Sequence, residues 1–69
     1  MPEIVIPNVK WIPENATLAQ AECYAERAEQ YLTAVTACFA AGGGKPAIQA
    51  CIDTAYGNYI AQLGVCDTL

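Results

Sequence analysis

The chain has 69 residues, 55% of them hydrophobic, with three basic and seven acidic side chains for a net charge of −4. One small domain is all that such a length can build, and a domain this size needs a staple or a partner for stability. Lys10, Arg27 and Lys45 form no basic cluster, so nucleic acid and anionic membrane surfaces are disfavoured as partners. The apolar content excludes a disordered segment, and no apolar run is long enough to span a bilayer.

Residues 1–13 read as an extended arm. Prolines at 2, 7 and 13 forbid a helix there, and Ile4-Val5-Ile6 and Val9-Lys10-Trp11-Ile12 favour extended backbone. Met1-Pro2-Glu3 and the short apolar stretch after it do not make a secretory leader, so none is visible in this sequence.

A first helix is expected over about 15–41. Asn15 suits the N-cap position, with Thr17 and Gln20 offering a competing capping box, and Glu14 and Glu22 suit the helix dipole. Asn15 also opens an Asn-Ala-Thr glycosylation sequon, and capping is the preferred role. Leu18, Ala21, Ala25, Ala28, Leu32, Val35 and Phe39 recur at spacings of three and four and define an apolar stripe; Glu22, Glu26, Glu29 and Thr33 face away from it. Gly42-Gly43-Gly44 ends the helix, since glycine tolerates left-handed backbone and weakens a helix interior.

Lys45-Pro46 begins a second helix over about 46–66, proline being favoured in the first turn. Ile48, Ile52, Ala55, Tyr59 and Leu63 share its apolar face, and Gly57 and Gly64 weaken it. With so short a connection the two helices lie antiparallel.

The cysteines fix the register of this hairpin. In an antiparallel pair, residues at one level have a constant index sum; Cys23 with Cys66 and Cys38 with Cys51 both sum to 89. Pairing Cys23 with Cys38 is impossible, because fifteen helical residues span about 22 Å and a disulfide needs Cα atoms within about 7 Å. The same separation prevents four cysteines at two levels from sharing one metal ion. The fold expected is therefore all-α: a two-helix hairpin (residues 14–69) stapled by two nested disulfides, Cys23–Cys66 and Cys38–Cys51, with the arm in front.

In outline the chain resembles the twin-cysteine hairpins of the coiled-coil-helix-coiled-coil-helix family of the mitochondrial intermembrane space. Those also bridge antiparallel helices with two nested disulfides. The family's cysteine spacings are C-x9-C or C-x3-C, whereas this chain has C-x14-C twice, so the resemblance is one of architecture.

Function follows less directly. Serine and histidine are absent and no carboxylate pair suggests a cleft, so no catalytic residue and no cofactor or metal is expected. The cysteines flank the Leu32-Val35-Phe39 stripe, so part of the stripe is left for the arm or a second copy to cover. Ile4, Ile6, Trp11, Leu32, Val35 and Phe39 are the expected interaction residues. The expectation is a non-enzymatic structural or interaction module that self-assembles as a homo-oligomer or within a larger assembly. The alternative is a secreted toxin-like or bacteriocin-like peptide. Four cysteines in a short chain place either in an extracellular or otherwise oxidising compartment.

Overall fold

The computed structural model describes residues 3–69, so Met1 and Pro2 of the arm lie outside the described residues. Two helices form, α1 over Leu18–Ala41 and α2 over Lys45–Cys66, with no strand among the described residues. They pack as an antiparallel hairpin joined by both disulfides of the expected pairing. The Cα atoms are 5.7 Å apart in Cys23–Cys66 and in Cys38–Cys51.

Helix α1 begins at the competing cap. Thr17 accepts from the backbone N–H of Gln20, and the Gln20 side chain accepts from the Thr17 backbone N–H in return. Two free donors of the first turn are thereby satisfied together. Asn15 is not the cap; it lies in an exposed turn closed by the Ala16 N–H on the Pro13 carbonyl. The helix consequently starts three residues later than expected, and neither Glu14 nor Glu22 falls in its first turn.

The chain reverses through Gly42, Gly43 and Gly44 with φ of 69°, 94° and 92°. Such angles are strained for any residue carrying a Cβ. Gly44 has no side chain to cap α2, and Pro46 enters its first turn where a missing N–H costs nothing. At the far end the backbone N–H groups of Asp67, Thr68 and Leu69 bond back to Leu63, Val65 and Cys66.

The buried seam shares Ala28 and Val35 with the expected stripe but takes Tyr24, Tyr31 and Cys38 in place of Ala25, Leu32 and Phe39. Tyr31, Val35 and Cys38 are the buried residues of α1, flanked by half-buried Tyr24 and Ala28. They face Ile52, Tyr59 and Cys66 of α2, with Ile48, Ala55 and Leu63 half-buried beside them as expected. Spacing along α1 is four, three, four, three, the pattern of a coiled-coil seam. Leu32 and Phe39 each follow a seam residue, so they stand about 100° around the helix and remain exposed. Each bridge thus joins a buried seam cysteine, Cys38 or Cys66, to one on the flank, exposed Cys51 or half-buried Cys23. Because a bridge must point at the partner helix, the apolar contact has to run through Cys38.

Candidate interaction surface

The midpoint of the seam is aromatic. Tyr31 and Tyr59 lie midway between the two bridges on their helices, and their rings stack with centroids 5.1 Å apart at 17°. Tyr56 meets Tyr31 edge-on at 5.6 Å and Tyr59 at 6.1 Å. Stacked and edge-on rings are favourable arrangements of aromatic quadrupoles. The phenol hydroxyls still require partners in this apolar setting, and the arm supplies two of them.

Tyr31 donates its hydroxyl to the Pro7 carbonyl at 2.8 Å, and the Tyr59 hydroxyl accepts from the Lys10 backbone N–H at 2.9 Å. Nearer the turn, Gln49 grips Val5 by both ends of its amide. Its Oε1 accepts from Val5 N–H at 2.7 Å, and its Nε2 donates to the Val5 carbonyl at 2.9 Å. Nε2 also donates to Asp53 Oδ1 at 3.0 Å, which fixes the direction the amide faces. The arm therefore runs parallel to α2, laid along the two-helix seam. Lengths agree: five extended residues from Val5 to Lys10 span about 16 Å, and ten helical residues from Gln49 to Tyr59 about 15 Å.

Further along, Lys10, Trp11 and Pro13 share a pocket of about 200 Å³ with Tyr24, Leu63 and Asp67. A larger pocket of about 400 Å³ opens at the other end, lined by Glu3, Ile4, Lys45, Pro46, Gln49, Ala50 and Asp53. Both pockets combine arm and hairpin residues. At the open end of the hairpin, Tyr24 donates to Asp67 Oδ1, and Gln20 Nε2 donates to the Asp67 carbonyl at 3.3 Å. Arg27 bridges the helices through Gln62 at 3.0 Å, with Gln30 and Glu26 beside it.

Two tyrosines are shifted from their ordinary titration. The hydrogen bond to Asp67 raises the pKa of Tyr24, helped by burial and by the carboxylate's charge. Burial raises that of Tyr31, with smaller contributions from the ionised forms of Tyr56 and Tyr59 and from Asp53. Among the described residues, no three His, Cys, Asp or Glu side chains converge to hold a metal ion, and both cysteine pairs are consumed as disulfides. Two disulfides are compatible with an oxidising environment. No helix is long and apolar enough to cross a membrane among the described residues.

The six expected interaction residues separate into two groups. Val35 is buried in the seam and Ile4 packs half-buried against the core, so both are structural. Trp11 is 96% exposed, and Leu32, Phe39 and Ile6 are also exposed, at 52%, 44% and 44%. Leu18, at 76%, belongs with them. The structure does not gather all six on one face. Gln49, Tyr31 and Tyr59 were not singled out from the sequence as arm contacts. A signal for the tyrosines existed, because their positions sum to 90, nearly the index of the bridges. For Gln49 there was none.

No family model, curated protein or solved structure matches this chain. The likeness to twin-cysteine hairpins accordingly remains a likeness of architecture.

Proposed function

We propose that this protein is a non-enzymatic, disulfide-stapled interaction module, residing in an extracellular or other oxidising compartment, that associates with further copies of itself. The observation that carries this reading is the apolar surface remaining after the arm has closed the seam. Of the eight residues from 5 to 12, five are exposed large apolar side chains: Val5, Ile6, Val9, Trp11 and Ile12. Scattered apolar exposure is ordinary on a soluble protein. A run of it on one segment, ending in a nearly bare tryptophan, is the composition of a protein contact. The low charge of the chain leaves little polar surface to dilute it.

Sedimentation equilibrium of the oxidised protein, from micromolar to millimolar concentration, tests the reading. Reversible association is expected. A monomer across that range would overturn it.

A further inference from the structure

We infer that the N-terminal arm is an exchangeable strap: residues 3–12 of one copy lie along the seam of a second copy, reciprocally, with residues 13–16 as the hinge. This inference deepens the self-association proposed above and rests on it. The arm behaves as a ligand of its own hairpin. Its hydrogen bonds at Val5, Pro7 and Lys10 all run between arm main-chain atoms and the side chains of Gln49, Tyr31 and Tyr59. Nothing in these contacts requires arm and hairpin to belong to one chain. In an exchanged pair they are remade unchanged, so the balance reduces to hinge conformation, association entropy and whatever new surface is buried.

The hinge favours opening. Residues 11–15 are all exposed, and one backbone bond, Ala16 N–H to the Pro13 carbonyl at 3.1 Å, closes the turn. Proline at 13 holds the backbone before it extended. The occupant is identified by what flanks this hinge. Among the described residues, Trp11 and Leu18, at 96% and 76%, are the two most exposed large apolar side chains, one on each side of the turn, and are left almost uncovered within one copy. In an exchanged pair the two hinges run past each other, and this is where contacts absent from the single copy form. Ten extended residues reach about 33 Å, enough to follow most of a body 42 Å long.

Native side chains supply the test. Glu3 and Lys45 line one pocket, and Lys10 and Asp67 line another; each is an amine and a carboxylate on opposite sides of the arm–seam contact. Among the described residues neither pair lies within ion-pair distance, so carbodiimide, which adds no length, joins them as these flexible, exposed side chains swing together. Equal amounts of unlabelled and 15N-labelled full-length oxidised protein are equilibrated at high concentration, cross-linked, separated by size and digested. Exchange predicts that the dimer fraction contains Glu3–Lys45 or Lys10–Asp67 peptides of mixed isotope, approaching half of the linked material. Replacing Trp11→Ser and Leu18→Ser together should weaken the dimer about tenfold or more, while the monomer's thermal unfolding stays nearly unchanged. Dimers carrying only single-isotope peptides would overturn the exchange and leave association through another face. Undiminished association of the double variant would equally overturn it, and absence of any dimer would overturn both this inference and the proposed function.

Discussion

Gln49 holds Val5 through both atoms of one amide, and the Asp53 carboxylate decides which atom points where. Gln49→Glu removes the donor to the Val5 carbonyl and sets a negative charge against both that carbonyl and Asp53. We expect a loss of about 1–3 kcal/mol from the arm's docking. The amide of Val5 should then exchange with solvent like an unfolded one, while amides in the middle of α1 and α2 keep their protection. Tyr59→Phe is the complementary case. Its stacking on Tyr31 survives, but the Lys10 N–H loses its acceptor, so protection should vanish at Lys10 and persist at Val5. Tyr31 adds a pH dependence with a definite sign. A pKa raised by folding means that stability is complete below the ordinary tyrosine value of about 10 and declines as pH rises through the folded value. Ionised Tyr31 can no longer donate to Pro7, so the arm should detach in alkali. Exchange or nuclear magnetic resonance shifts of arm residues above pH 10 would show it, and Tyr31→Phe should abolish that transition.

Among the elements, the hairpin, its turn and both bridges were legible because each rests on a short-range rule or on index arithmetic. The face of α1 was not read correctly. Leu18, Leu32 and Phe39 outweigh tyrosine and cysteine in hydropathy, so a stripe through them is the natural reading, yet the Cys38–Cys51 bridge turns the contact to the Tyr31 and Cys38 side of Val35. Covalent geometry overrides transfer energy where the two disagree. The arm's path was illegible for another reason: it is set by side-chain-to-backbone hydrogen bonds across 44 and 49 residues of sequence separation, which no local pattern records. Glycine positions make the element-level physics testable. Gly57 and Gly64 are exposed helical residues with open space where a Cβ would go. Each, changed to alanine, should stabilise α2 by about 0.4–1 kcal/mol. Gly43→Ala should have the opposite sign. Its φ of +94° disfavours any Cβ, which would also come within 3.2 Å of the Ala47 Cβ; the expected cost is about 1–2 kcal/mol. Thermal unfolding of the three oxidised variants checks the order.

At the level of the whole molecule, elongation makes the two bridges unequal. A radius of gyration of 13.5 Å exceeds the roughly 11 Å of a compact chain this long, and the bridges tie opposite ends of the body. The inner bridge closes a loop between residues 13 apart, the outer between residues 43 apart. Chain entropy assigns about 3 kcal/mol to the first and about 4 to the second when each is considered alone. The outer bridge also keeps Asp67 near Tyr24 and Gln20, contacts that depend on α2 staying level with α1 at its open end. Exposure runs the other way: Cys51 is exposed and Cys23 half-buried, while Cys38 and Cys66 are buried. A dithiol should therefore attack the inner bridge first, at the Cys51 sulfur, with the Cys38 thiolate leaving. Graded reduction followed by alkylation and mass mapping should label Cys38 and Cys51 before Cys23 and Cys66, with helical circular dichroism nearly intact at the two-thiol stage. Loop closure makes a separate prediction: Cys23→Ala with Cys66→Ala should lower the melting temperature more than Cys38→Ala with Cys51→Ala. The reverse melting order would mean that local packing around the turn, not loop closure, governs how the hairpin comes apart, and the reverse reduction order that exposure of Cys51 does not decide which bridge opens first.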